Sequence, residues 1–262
     1  MESKFSNWFN EAYGSVVMVA LTFSPGKWWG AAGTLIEPAM HPVLTQIHDV
    51  VPLDWVLHWV GVIAADKSCG GPHVNPGVSL AMFAIGKIPY SQFLTHVGGQ
   101  MFGGLVAFPL LQFGARELGW AALGGPGVDA AISGDALREA LTHEFANMFL
   151  LCAGIFLIAF EAPSFIKDTY LVKMTCIAGL VRALIVYLGA AGPAINPMLA
   201  TTWYVYETGA LPAFWQHYAV YWGASFAGAL TAALAYSVVK PGVAFCSGAA
   251  PPAKKGKKSK RE

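Results

Sequence analysis

Charge is what this 262-residue chain has least of. Asp, Glu, Lys and Arg make up 12% of it, about half the usual share in a soluble domain. The stretches 88–115, 145–160 and 208–239 contain none of the four. With 55% hydrophobic residues and a mean hydropathy of +0.51, the chain is expected in a membrane rather than in water. A net charge of +1 gives no electrostatic footprint for nucleic acid. Cysteine is also scarce. Cys69, Cys152, Cys176 and Cys246 have no Cys-x-x-Cys spacing, which argues against a metal site or a disulfide framework and leaves them as small packing residues. Met1 to Asn10 is polar and mixed in charge, so no cleavable signal peptide is expected. P-loop, Gly-x-Ser-x-Gly and His-Glu-x-x-His motifs are absent, and with them any sign of an enzyme, a metal or a cofactor.

What is there in quantity is apolar sequence of membrane length. A helix needs about 20 mainly apolar residues to cross the hydrocarbon core. Six spans fit, at 10–34 (interrupted by Pro25-Gly26-Lys27), 50–65, 91–113, 138–160, 169–189 and 212–239. A Gly-rich connector covers 114–134, and the polar tail after Lys240 is expected to be disordered. With both termini in the cytosol, Lys4, Lys67, Lys87, Lys167, Lys173 and Lys240 face inward, and only Lys27, Arg116 and Arg138 face outward. The inward excess of Lys and Arg selects that topology. The Trp residues at span ends (Trp8, Trp28, Trp29, Trp203, Trp215) are expected to anchor in the interfaces.

The spans fall into two copies of one pattern. Glu11 lies in the first span and Asn75-Pro76 follows the second; Glu144 lies in the fourth and Asn196-Pro197 follows the fifth. The expected organisation is a first repeat over 1–115, a connecting loop over 116–137, a second repeat over 138–240 and a basic cytoplasmic tail over 241–262. Three crossings per copy reverse the second copy in the membrane. The fold class is therefore an all-α membrane protein with six transmembrane helices and two re-entrant half-helices.

Each Asn-Pro pair announces a helix start, because Asn caps well and Pro at the first helical position loses no hydrogen bond. The helices expected over 76–85 and 197–206 are each about 15 Å long, half the ~30 Å hydrocarbon core. Entering from opposite faces, they would meet N-terminus to N-terminus near the midplane. The facing dipoles would oppose cations and protons. The approach loops, 69–74 and 188–195, are rich in Gly, Ala and Pro; irregular backbone at that depth must line a wet cavity or be buried in protein.

The stretch Gly70-Gly71-Pro72-His73-Val74-Asn75-Pro76-Gly77-Val78 resembles the first signature loop of the aquaporins (major intrinsic proteins), with Gly77 for the usual Ala. Gly192-Pro193-Ala194-Ile195-Asn196-Pro197-Met198 resembles the second, with Met198 for Ala. Gln100 to Gly104, Val220-Tyr221-Trp222 and Gly228-Ala229 also match the family. The resemblance implies a six-helix bundle with one pore per subunit, passage of water or small neutral solutes (glycerol, hydrogen peroxide), and a homotetramer in the lipid bilayer. It also implies that Glu11 and Glu144 accept hydrogen bonds from the signature-loop backbone, and that His73 orders its loop. Metal binding at His73 is not expected, since no second ligand lies at a suitable spacing.

The second signature departs from water-selective members, where the residue two after the Pro is Arg; here it is Leu199. By offset, the other constriction positions are Trp55, Leu184 and Pro193. The resulting set is apolar, with looser discrimination between solutes expected. Arg182, a charge within the fifth span, is a candidate replacement for the missing cation, or else a charge that finds a buried partner. These departures and the basic tail resemble the superaquaporins of animals and the small basic intrinsic proteins of plants. The bulky constriction residues also leave room for another expectation, a structural subunit that kept the fold and lost conduction. The chain ends Lys258-Ser259-Lys260-Arg261-Glu262, the K-x-K-x-x form of a dilysine retrieval signal. Residence in the endoplasmic reticulum is expected from it, with a lipid-binding basic tail as the other reading.

Overall fold

The computed structural model describes residues 4–22, 53–117, 124–188 and 194–246, and every regular element among them is helical. In chain order these are α1 (Lys4–Thr22), α2 (Leu53–Cys69), α3 (Pro76–Ala84), α4 (Tyr90–Glu117) and α5 (Gly134–Phe156), which continues as a π-helix over Leu157–Glu161. After the single turn α6 (Ser164–Lys167) come α7 (Tyr170–Tyr187), α8 (Pro197–Thr208), the turn α9 (Trp215–His217) running into a π-helix over Tyr218–Ala224, and α10 (Ser225–Val239). Among the described residues, Tyr90–Glu117, Gly134–Glu161, Tyr170–Tyr187 and Trp215–Val239 are long and apolar enough to cross a membrane. At 17 residues, α2 extends about 26 Å and stands at the lower limit for a span. The Pro25-Gly26-Lys27 break, Trp28, Trp29, Pro193, Lys258 and Lys260 lie outside the described residues.

Helix ends differ from the sequence expectation in one consistent way. The first helix starts at Lys4 rather than residue 10, the second runs through Lys67 to Cys69, and the third continues over Arg116 to Glu117. Charge marks where a chain leaves hydrocarbon, whereas a helix stops where its backbone loses partners. Two further expectations are corrected. Trp203 is no interfacial anchor: it is buried against Phe108 and Tyr206. The tail does not leave the protein at Lys240. Residues 240–246 turn back beneath α3, where the Cys246 N–H donates to the Ala84 carbonyl at 2.8 Å.

Packing is reciprocal between the two halves of the chain. In the first half α1 packs on α4; in the second α5 packs on α10. Each half-helix then crosses over, α8 lying on α4 and α3 on α10. Between the halves α2 meets α7: the Trp59 indole N–H donates to Thr175 Oγ1 at 2.8 Å, and Trp55 and Arg182 line the same cavity. The numbering descends along one helix as it rises along the other, so α2 and α7 run antiparallel, as inverted copies must. The ends of several helices share one face, where Lys67 sits 3.8 Å over the Tyr170 ring and Lys87 4.4 Å over Phe160. There Lys240 also pairs with Glu161 at 2.5 Å.

Polarity is distributed as in lipid rather than water. Leu94, Phe113, Leu150, Leu171 and Val238 are exposed, while Glu11, Gln100, Glu144, Asn147 and Thr202 are buried. Close helix approach comes from glycine. A Cβ on Gly99 would collide with the Trp8 carbonyl, and one on Gly103 with the Ala12 carbonyl. Gly228 stands in the same relation to Phe145 across α5 and α10. Small residues four apart allow such backbone contact in membranes. Gly103→Val therefore has to separate α1 from α4, at a cost of about 1–3 kcal/mol or more. Thermal unfolding in detergent should show a lower midpoint for that variant; an unchanged midpoint would contradict the crossing.

Candidate functional site at the paired Asn-Pro junctions

Each half-helix begins as its capping chemistry requires. Asn75 is extended (φ −150°), and its Oδ1 accepts from Gly77 N at 2.9 Å. Asn196 is extended (φ −159°), and its Oδ1 accepts from Met198 N at 3.1 Å. Pro76 and Pro197 take the first helical positions. The helices end where glycine at positive φ follows, Gly86 (+72°) after α3 and Gly209 (+74°) after α8, the usual left-handed C-terminal stop.

The amide ends of the two asparagines join the halves. Asn75 Nδ2 donates to the Ile195 carbonyl at 2.7 Å, and Asn196 Nδ2 donates to the Val74 carbonyl at 2.8 Å. Each asparagine thus caps its own half-helix with oxygen and grips the opposite approach loop with nitrogen. The N-termini of α3 and α8 are held face to face. Each amide carries two N–H bonds, so one on each remains beyond this crossed pair.

The residues gripped in this way are conformationally strained. Val74 (φ +49°) and Ile195 (φ +51°) are β-branched residues in the left-handed region, at about 1–3 kcal/mol each. Two buried carboxylates hold them there. Glu11 Oε1 accepts from His73 N and its Oε2 from Val74 N, both at 2.8 Å. Glu144 Oε1 accepts from both Ala194 N and Ile195 N, the latter at 3.2 Å. Both glutamates are 1% exposed. Around Glu11, Gln100 Nε2 donates to Oε2 at 2.9 Å and to Ser79 Oγ at 3.0 Å. Ser79 Oγ also lies 3.0 Å from His73 Nδ1. Around Glu144, Ser225 Oγ donates to Oε2 at 3.1 Å.

The departures in the two signatures have packing partners. A Cβ on Gly77 would stand 2.6 Å from Met148 Cε, so the missing methyl is the space Met148 fills. Met198 is fully buried, and its sulfur occupies the room left by Gly104. Of the offset-derived constriction positions, Leu184 is buried among Ala81, Met148 and Ala229. Leu199 is buried with Val19, Phe108 and Trp203. Those are separate apolar clusters. Trp55 instead shares with Trp59, Thr175 and Arg182 a cavity of about 280 Å³ between α2 and α7.

A family model, Major intrinsic protein, matches residues 3–236. The chain belongs to the major intrinsic protein family. The chain is similar to Aquaporin TIP1-2 of Zea mays, 27% identical over 178 residues, covering 68% of this chain and 65% of the relative. Aquaporin AqpM of Methanothermobacter marburgensis is 27% identical over 178 residues, 66% of this chain and 70% of its own. Aquaporin SIP1-1 of Arabidopsis thaliana is 30% identical over 121 residues, 45% of each chain. The chain thus spans less than two thirds of the length of two of these relatives. The aquaglyceroporin of Plasmodium falciparum shares the fold, with a TM-score of 0.62, 17% identity, and coverage of 91% of this chain and 98% of that one. An aquaporin-like membrane fold thus accounts for the two half-helices and, among the described residues, for the four apolar helices of membrane length.

Sequence reasoning missed one participant. His96 of α4 is buried, its Nδ1 3.0 Å from Glu11 Oε1 and 3.2 Å from His73 Nδ1. It stands 23 residues beyond His73 in the chain, and only the packing of α4 against α1 and α3 brings it to Glu11 and to the His73 ring. A composition scan for buried polar residues on the Gly99-Gly103 face of that helix would have found it.

The two carboxylates predict unequal responses to amidation. Glu144 serves both loop N–H groups with one oxygen, so Glu144→Gln can keep both bonds. Glu11 serves them with two oxygens, so Glu11→Gln sets an NH₂ group against a donor. An unsatisfied buried donor costs about 1–3 kcal/mol. Glu11→Gln should therefore lower the detergent melting midpoint clearly more than Glu144→Gln, and equal shifts would contradict this division of labour.

Proposed function

We propose that the chain is a passive membrane channel for water and small neutral solutes such as glycerol or hydrogen peroxide, with its pore at the two Asn-Pro junctions. The observation that carries this reading is the crossed pair of bonds from Asn75 to Ile195 and from Asn196 to Val74. Two half-helix N-termini, each worth about +0.5 charge, face one another there and oppose cations. The second N–H of each amide is a donor for a water oxygen, and the approach-loop carbonyls are acceptors on the other side. The relatives named aquaporins and the aquaglyceroporin neighbour support the same reading.

Selectivity in this proposal is set on the cavity that Trp55 shares with Arg182, with Leu184, Pro193 and Leu199 as the apolar remainder of the constriction. Arg182 supplies the cation that Leu199 does not. Both termini are cytoplasmic, in keeping with Lys67, Lys87 and Lys240 gathering at one face, and the assembly is a homotetramer. The chain's two halves, 1–115 and 138–240, are the inverted repeats that build the pore.

Proteoliposomes carrying the purified protein should shrink faster than empty vesicles after an osmotic step in stopped flow. Trp55→Ala should raise glycerol flux more than water flux. Shrinkage equal to that of empty vesicles would overturn conduction and leave a non-conducting structural subunit.

The proposal extends to residence in the endoplasmic reticulum, on the K-x-K-x-x spacing of Lys258 and Lys260. Changing both lysines to Ser while keeping Lys254, Lys255 and Lys257 should move the protein, labelled in an internal loop, to the cell surface. An unchanged distribution would make the tail a lipid contact.

A further inference from the structure

The cluster around Glu11 contains more than loop ordering requires. Glu11 already serves two backbone N–H groups and Gln100. His96 nevertheless brings a third element, α4, to the same point, with its Nδ1 3.0 Å from Glu11 Oε1 and 3.2 Å from His73 Nδ1. One oxygen and two imidazole nitrogens, from α1, the first approach loop and α4, all lie within 4.8 Å of one another.

We propose that Glu11, His73 and His96 form a binding site for one divalent transition-metal ion, with Zn²⁺ the best fit. The argument is geometric. A tetrahedral ion with bonds of about 2.0–2.1 Å has ligand-to-ligand edges of about 3.3–3.4 Å. Two edges, at 3.0 and 3.2 Å, need only a few tenths of an ångström of opening, and the third lies within 4.8 Å. Two imidazoles and a carboxylate suit Zn²⁺, Ni²⁺, Cu²⁺ or Fe²⁺, whereas Mg²⁺ and Ca²⁺ call for oxygen alone. Three protein ligands leave a fourth position for water.

The outer partners are of the kind that orient metal ligands. The Gln92 amide lies 3.1 Å from His96 Nε2. With its oxygen turned to the ring, it accepts the Nε2 proton and leaves Nδ1 as the ligand. Val74 N and Gln100 Nε2 hold the second oxygen of Glu11, which keeps Oε1 directed at the histidines. Metal at His73 Nδ1 displaces the contact with Ser79 Oγ. That hydroxyl sits in the first turn of α3 and can turn to the Asn75 carbonyl four residues back, as helical serines do. On its outer side the cluster is bordered by the approach loop, where Gly70 and Gly71 are exposed and His73 is half-buried. The site rests on side-chain geometry and stands apart from whether the chain conducts.

The test uses untagged, full-length protein in detergent. Co²⁺ should give the intense visible bands of a four-coordinate ion at one equivalent per chain, and Zn²⁺ should abolish them. His96→Gln and, separately, His73→Gln should weaken Zn²⁺ in calorimetry by more than about tenfold, the low end of what even outer partners contribute. His143→Gln, outside the cluster, should leave it unchanged. Gel filtration and the melting midpoint report whether each variant folds, and His96→Gln carries the test if His73→Gln does not. Absence of the Co²⁺ bands in the parent protein would overturn the site, as would equal Zn²⁺ affinity in parent and His96→Gln. None of these readouts depends on flux, so an impermeable vesicle would count against the channel and not against the metal site.

Discussion

Two hydrogen bonds, each from an asparagine amide to a carbonyl of the other half, are the constraint on which the rest of the molecule depends. They are short, at 2.7 and 2.8 Å, and both asparagines are buried between the two halves. For each carbonyl to meet its amide, the residue that bears it has to turn into the left-handed region, and in both loops that residue is β-branched. The strain is borne by Glu11 and Glu144, which fix the N–H groups of the same residues. Buried carboxylates, turned backbone and crossed amides form one unit. Removing any member leaves buried donors or acceptors of the others without their partners.

The exchange of half-helices follows from that unit. Neither α3 nor α8 is long enough to span, so each must bury its flanks against protein. Each does so on the last span of the opposite half. The glycines at the α1–α4 and α5–α10 crossings then bring the glutamates close enough to reach the loops, which a larger residue would prevent. Sequence departures are absorbed locally. A lost methyl at Gly77 is filled by Met148, and the long Met198 finds space at Gly104.

Much of this was legible before any coordinates, because the deciding physics is short-range. Charge-free runs locate the spans, and Asn followed by Pro specifies a cap and a first turn within a few residues. Helix ends were less legible, since Lys67 and Arg116 report the edge of the hydrocarbon and not the last hydrogen bond. The π-helical turns at Leu157–Glu161 and Tyr218–Ala224 have no pattern that periodicity detects. The role of Trp203 misled because an aromatic at a span end can face the interface or the core, and only the position of Phe108 decides between them. His96 stands out as a polar residue on the glycine face of its helix, but its partners come from α1 and the first approach loop, so spacing along the chain carries no trace of the cluster.

The bond from Cys246 to Ala84 has a mechanical consequence. The last span ends at Val239, and the chain that follows it is tied to the end of α3 by that bond. Tension applied at Cys246 is therefore shared between the last span and the C-terminal end of the first half-helix. The half-helix that takes part of that load begins at Asn75.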